Sequence, residues 1–337
     1  MELWWLLPVV AGLSFGLTAA LLHYARAQQL LDVPNSRSSH SVPTPRGGGV
    51  AIVLSFVAAL PLLYLADALP WSHLWALLGA GVGVAGIGFL DDHVSLPVRW
   101  RLLVHAVCAA WMLGWLGGLP ALEIFGIGLE AGWLGAGLGL LYLVWLLNLY
   151  NFMDGLDGIA AVEAISVCLG GALLYWVVGQ GGHMIVLLVL ACAVAGFLGW
   201  NWPPARIFMG DVGSGFLGIV LGGLSLQAAW AAPELFWSWL ILLGVFIVDA
   251  TWTLLRRLLR GEKLHQAHRS HAYQVASRRF GGHLPVTLAV GAINLFWLLP
   301  MALWVGSGGM PGTLGVLLAY LPLGGVAWWF QAGADEE

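Results

Sequence analysis

The sequence predicts an all-α integral membrane protein of about eleven transmembrane helices with its active site on the cytoplasmic face, and three observations carry that prediction. Of 337 residues, 60% are hydrophobic and 9% charged, against about 25% charged in an ordinary soluble domain. The apolar runs are about twenty residues long and do not alternate strictly, which suits spanning helices and excludes the short alternating strands of an outer-membrane barrel. All 13 Lys and Arg residues fall in alternate loops between those runs.

The first run, Leu3 to Leu22, precedes Ala25-Arg26-Ala27, which resembles a signal-peptidase site. Its leading segment, however, holds Glu2 and no basic residue, and the run is longer than a signal peptide needs, so we read it as the first span. Further spans are expected near 47–66, 73–90, 102–119, 132–150, 158–178, 184–200, 212–231, 235–255, 284–305 and 312–330. They form one polytopic domain over residues 1–337, with cytoplasmic loops near 24–46, 91–101, 148–157, 201–211 and 256–283. The 47 glycines suit close helix packing in lipid, where small residues let backbones approach. Cys108, Cys168 and Cys192 lie inside apolar runs without metal-ligand spacing and read as small core residues.

Charge placement tests this arrangement, because cytoplasmic loops retain Lys and Arg. Arg26, Arg37 and Arg46 fall in the first loop, Arg99 and Arg101 in the third, and Arg206 in the seventh. Arg256, Arg257, Arg260, Lys263, Arg269, Arg278 and Arg279 fall in the ninth. The opposite loops carry Asp67, Glu123, Glu130 and Glu234 and nothing basic. An error of one span would scatter the charges. The odd-numbered loops are therefore read as cytoplasmic, with the N-terminus outside and the C-terminus inside.

Polar groups gather on that same face. The stretch Asn148-Leu-Tyr-Asn151-Phe-Met-Asp154-Gly-Leu-Asp157-Gly158 sets two amides and two carboxylates at the mouth of an apolar segment. Taken alone it reads blandly as a polar cap between two helices; as a site, it needs a partner or a metal to keep carboxylates beside hydrocarbon. The adjacent Asp91 and Asp92 repel, so that either one pKa rises, giving a base, or a cation neutralises both, giving a metal site. Asp211 follows Gly210 just inside an apolar run. The oxygen character of this Asp/Asn set points to Mg²⁺, with Mn²⁺ as its substitute, rather than zinc. The ninth loop carries His265-x-x-His268-Arg269-x-His271. Histidines three apart can share a helical face and a transition metal, but there is no Cys and Arg269 repels a cation, so a phosphate-binding rim is the better reading. Arg256, Arg257, Arg278 and Arg279 read equally well as a solvated positive-inside loop.

Asp91-Asp92, Asn151-x-x-Asp154-Gly-x-Asp157-Gly, Asn201 ahead of Phe208-Met-Gly-Asp211-x-Gly-Ser, and His268-Arg-x-His271-x-Tyr-Gln together carry a resemblance. So do Asp32-x-Pro-Asn-x-Arg37-x-x-His40 and Pro45-Arg-Gly-Gly. In this order they resemble the polyprenyl-phosphate N-acetylhexosamine-1-phosphate transferase family, of the glycosyltransferase 4 type. The resemblance implies transfer of a sugar-1-phosphate from a UDP-N-acetylhexosamine to undecaprenyl phosphate in a bacterial inner membrane, with release of UMP. It implies Asp211 and Asn151 holding Mg²⁺ on the pyrophosphate, Asp91 deprotonating or orienting the lipid phosphate, and Asp92 supporting that region. It also implies Phe208 stacking on uracil, Asn201, Asp154 and Asp157 around the nucleotide, and His268, Arg269 and His271 on phosphate or sugar oxygens.

His268 and His271 are separated here, unlike the consecutive histidines of the muramoyl-pentapeptide branch, which points to the branch that begins O-antigen or other surface polysaccharides. GlcNAc, FucNAc and QuiNAc donors all remain open. No nucleic-acid partner is expected, and a homodimer is left open. Asp249, inside the ninth span, reads as structural, and His23, His73, His105 and His183 as packed or interfacial. A secondary transporter is the alternative reading, but it would place its site near the bilayer midplane between two repeated halves, and neither is evident. An intramembrane aspartyl protease would need Gly where Phe208 stands.

Overall fold

The computed structural model describes residues 3–29, 31–32, 42–94, 96–129, 132–262 and 268–334. Pro34, Asn35, Arg37 and His40 of the first loop motif, Glu130, and Lys263 and His265 of the ninth loop lie outside the described residues. The helices begin with α1 (Leu6–Ala27), α2 (Gly49–Leu65), α3 (Trp71–Val94), α4 (Val98–Leu116) and α5 (Gly132–Met153). They continue with α6 (Ile159–Val177), α7 (Met184–Asn201), α8 (Asp211–Ala231), α9 (Pro233–Leu242) and α10 (Gly244–Leu259). A short α11 (Ala272–Arg279) leads into α12 (His283–Ile293), a π turn (Asn294–Leu298), α13 (Leu299–Gly306) and α14 (Gly312–Trp329).

Every expected apolar segment is helical, and the protein is an all-α multi-pass membrane protein. Among the described residues eight helices are long and apolar enough to cross a membrane, or nine if α9 and α10 count as one span. Helix α2 has only 17 residues, and α4 begins with two arginines and is not among the eight. Length and hydropathy alone thus support fewer spans than the eleven expected. Two features were not anticipated. Leu31–Asp32 (β1) pairs antiparallel with Thr44–Pro45 (β2), and Leu122–Ile124 (β3) with Ile127–Leu129 (β4). Strands of two or three residues are too short to alternate legibly.

The ninth apolar segment is bent by 70° between α9 and α10. Tyr320 Oη of α14 donates to the Leu240 carbonyl at 2.7 Å, in the last turn before the break. The tenth segment widens into its π turn just before Pro300, which has no amide to donate. There Asn294 donates to Glu163 Oε2 of α6 at 2.6 Å.

Helix α8 is the axis of the bundle. Every residue from Val212 to Ala229 is buried, and α3 and α5 pack along it. Its first turn approaches α2 so closely that a Cβ on Gly49 would collide with the Gly213 backbone. Four loops therefore meet at one end of the bundle. The Gly48 amide donates to Phe208 O at 2.9 Å and the Phe208 amide to Pro45 O at 2.8 Å, joining the first loop to the seventh. The Ala205 amide reaches Asp157 at 3.0 Å, joining the seventh to the fifth. After α14 the Gly333 amide donates to Ser270 O at 2.8 Å, so the turn after α14 packs on the ninth loop.

Candidate active site

The site is built around the start of α8. Gly210 has φ of +76°, in the left-handed region that favours glycine, and a Cβ there would meet Asp92 Oδ2 at 2.7 Å. The turn sets α8 against the end of α3, where Asp92 accepts from the Asp211 amide at 3.3 Å and approaches the Val212 amide at 3.5 Å. An anion thus caps the helix dipole. Asn151, at the end of α5, donates to Ser214 Oγ at 2.9 Å and lines the same cavity as Asp211. Asp92, Asn151, Asp154, Phe208 and Asp211 face one cavity of about 240 Å³, with Arg46 at its edge. Burial, then the charges of Asp211, Asp92 and Asp157, pushes the Asp154 carboxyl up to about 8.

The donor set fits a hard divalent cation in kind. Asp92, Asn151, Asp154 and Asp211 all offer oxygen, and the raised Asp154 records a repulsion that such an ion would relieve. Among the described residues, however, no three His, Cys, Asp or Glu side chains form a group ready to hold a metal.

Two residues expected beside the nucleotide line the cavity and also hold the loops around it. Asn201 is 3% exposed; its Oδ1 accepts from the Gly158 amide and its Nδ2 donates to the Ile207 carbonyl, each at 2.9 Å. Both ends of the amide hold loops, so Asn201 braces the wall of the carboxylate cavity that it lines. Asp157 accepts from the Ala205 amide, and its other oxygen lies 3.1 Å from His283 Nδ1. Its carbonyl accepts from Thr287 at 2.8 Å. It ties the fifth and seventh loops to α12 while bordering the cavity. His283 went unnoticed in the sequence, where a lone histidine after two glycines gives no spacing signal.

Asp91 and Asp92 face different compartments. Asp91 pairs with Arg101 and accepts from the Leu96 amide at 2.6 Å, so both of its oxygens are engaged. Asp91 thereby anchors Arg101, which sits 3.4 Å from Asp211 Oδ2. Beyond it runs a groove of about 510 Å³. Its walls include Leu102, Leu141, Val144 and Trp145, and its polar end Arg101, Asn148, His268 and His271. Asn151 borders both the groove and the carboxylate cavity, and a void of about 30 Å³ beside Asp91, Asn151 and Asp211 lies between them.

The ninth loop divides. His271 is 4% exposed and its ring stacks between His268 and Tyr273 at centroid distances of 4.8 and 5.5 Å. Asp249 holds this arrangement, accepting from the Ala272 and Tyr273 amides at 2.9 Å each and from His271 Nδ1 at 3.3 Å. Burial, with His271 and Arg257 nearby, lowers His268 to about 3. It meets a ligand as a neutral imidazole. Arg269 borders a different, outer cavity of about 720 Å³ with Phe208, Asp157 and His283. His268 and His271 thus border the groove, and Arg269 the outer cavity.

An all-helical membrane protein with an oxygen-rich cavity set against an apolar groove is the class that fold and site define. Glycosyl transferase family 4 matches residues 74–229, a stretch running from before Asp91 to beyond Asp211. The chain is 32% identical over 254 residues to a probable undecaprenyl-phosphate N-acetylglucosaminyl 1-phosphate transferase of Bacillus subtilis, covering 72% of this chain and 68% of that protein. It is 27% identical over 302 residues to the undecaprenyl-phosphate alpha-N-acetylglucosaminyl 1-phosphate transferase of Thermotoga maritima, covering 87% and 88%. It is 29% identical over 275 residues to a phospho-N-acetylmuramoyl-pentapeptide-transferase of Streptococcus equi, covering 74% and 80%. The chain belongs to glycosyl transferase family 4, and these relatives are phosphotransferases that act on sugar phosphates, two of them named for a polyprenyl phosphate.

Proposed function

We propose that the protein transfers an N-acetylhexosamine-1-phosphate from a UDP-sugar to undecaprenyl phosphate. An oxygen of the lipid phosphate attacks the phosphorus next to the sugar. A new P–O–P bond forms, the old one breaks, and UMP leaves with the electron pair. The observation that carries this reading is Asn151 and Asp211 standing where the two compartments meet. A nucleotide diphosphate fits the carboxylate side only with a cation, and an isoprenoid chain fits the apolar groove. Arg101, with the neutral His268 imidazole beside it, receives the lipid phosphate at the groove's polar end. Asp211 and Asn151, with Asp92 and Asp154 beside them, would hold Mg²⁺, which when bound neutralises charge on donor and leaving group.

The separation of His268 from His271 supports a donor other than the muramoyl pentapeptide, and a product that begins O-antigen or another surface polysaccharide. The test is purified protein with undecaprenyl phosphate, Mg²⁺ and a panel of UDP-GlcNAc, UDP-FucNAc, UDP-QuiNAc and UDP-MurNAc-pentapeptide, scored for UMP. One of the first three is expected to release UMP. Folded protein releasing none with any donor would leave the transporter reading ahead. The bend between α9 and α10 resembles a transporter's broken helices, but the clustered carboxylates lie at helix ends rather than mid-span.

Phe208 has its amide and carbonyl fixed by Pro45 and Gly48, and borders both the carboxylate cavity and the outer one. A base stacked on that ring would gain about 1–3 kcal/mol. Phe208→Ala is therefore expected to weaken UDP-sugar affinity by roughly 5- to 150-fold and to leave the Mg²⁺ requirement in place. Calorimetric titration with UDP-sugar checks this, and unchanged affinity removes Phe208 from the site.

The inner-membrane orientation has its own check. Reporter fusions at residues 40, 95, 205 and 270 are expected to read cytoplasmic, and those at 69, 124, 181 and 309 external. One reproducible reversal breaks the assignment.

A further inference from the structure

Between α10, α11, α12 and α14 lies a second apolar cleft of about 380 Å³, separate from the groove. Small side chains make the space: Ala272 and Ala276 on α11, Ala289 on α12 and Ala327 on α14. Ala289 and Val326 on its walls are exposed, so the cleft opens on the outside of the bundle, where hydrocarbon rather than water lies. From Pro285 to Ile293 its wall runs nine residues along α12, about 12 Å from first to last at the rise of a helix.

Its mouth is cationic. Phe280 and Phe330 close the end nearest the site face, and their rings meet edge-on at 6.1 Å. Arg279 is exposed and lies over Phe330, its guanidinium carbon 5.3 Å from the ring centroid. No carboxylate of the described residues pairs with it within salt-bridge reach. Arg256 stands close by, donating to the Ala332 carbonyl at 3.2 Å.

Apolar surface alone does not select a ligand inside a bilayer, since lipid tails are as apolar as the walls. A charge at the mouth does. We propose that this cleft is a binding site for one anionic phospholipid, with an acyl chain between α12 and α14 and the headgroup phosphate on Arg279. The floor of the cleft is formed by Asp249 and Tyr273, the residues that hold His271 in place, so an occupant braces the ninth loop from behind. The site does not depend on which sugar is transferred.

Native mass spectrometry of the delipidated protein tests the proposal without using turnover. Titrated phosphatidylglycerol is expected to add one tightly held lipid, and phosphatidylcholine to bind at least about fivefold more weakly, the equivalent of about 1 kcal/mol per basic residue at an anionic surface. Arg279→Gln is expected to remove that preference. Ala289→Trp, at an exposed wall position, is expected to abolish the tight lipid while the melting temperature in detergent stays unchanged. Saturating undecaprenyl phosphate should leave the phosphatidylglycerol in place. Equal binding of the two phospholipids, or a tight lipid that survives Ala289→Trp, would overturn the proposal. Displacement by undecaprenyl phosphate would overturn it as well, assigning the cleft to the isoprenoid chain instead.

Discussion

Asp211→Asn is expected to lower turnover by about three orders of magnitude or more while the helix bundle stays folded. The substitution keeps the side chain's shape and removes its charge. In the folded protein that charge faces Asp92 and Asp154 on one side and Arg101 on the other. Without substrate its loss relieves repulsion within the cavity, so the melting temperature should hold or rise. With substrate the balance reverses: a desolvated pyrophosphate needs a counter-charge held rigidly against it, and losing one such interaction in a dry site costs about 10²–10³ in rate. A weakened cation site adds to that loss, and extra Mg²⁺ should restore only part of it. Binding of undecaprenyl phosphate, on the far side of Asn151, should suffer less. The measurement is UMP release against Mg²⁺ concentration, with melting temperature as the control for folding. Near-normal turnover with an unaltered Mg²⁺ requirement would move the cation to Asp92 and Asp154.

The apolar helices and the gathering of polar loops at one end of the bundle were legible because charge is expensive in hydrocarbon. Thirteen basic residues on alternate loops leave little freedom in the placing of helices. What could not be read was which way individual side chains turn. Asp91 and Asp92 look like one repelling pair in the sequence, but neighbours on a helix stand about 100° apart. Asp91 turns to Arg101, and Asp92 to the start of α8. Arg101 itself passed for one more positive-inside charge. The loop-bracing bonds of Asn201 were also hidden, since their partners, the Gly158 amide and the Ile207 carbonyl, are backbone groups that no sequence pattern marks. Glu163 was missed for a different reason. It lies inside an apolar run with its partner, Asn294, 131 residues away on the π turn, and no local spacing reports such a pair.

The bend between α9 and α10 was equally hidden: the Tyr320 hydroxyl that meets the turn before it comes from another helix. It matters for the site, since α10 carries Asp249, and Asp249→Ala is the second substitution expected to have a large effect. The carboxylate is 6% exposed and accepts from two backbone amides at the start of α11, from His271 and, at 3.2 Å, from Thr253. Alanine leaves the Ala272 and Tyr273 amides buried and unpaired, at about 1–3 kcal/mol each, and removes the anion from the N-terminus of α11. That is enough to undock the first turn of α11, and with it the stacked rings of His268, His271 and Tyr273. Turnover should fall by about 10²–10³. Because those histidines border the groove and not the carboxylate cavity, KM for undecaprenyl phosphate should rise more than KM for the UDP-sugar. Asp249→Asn keeps one acceptor and should fall between the wild type and the alanine variant in both respects. Steady-state kinetics in nanodiscs, varying each substrate in turn, separates the two effects. An equal rise in both KM values, or a lipid KM that does not move, would show that Asp249 supports the bundle without setting the acceptor end of the site.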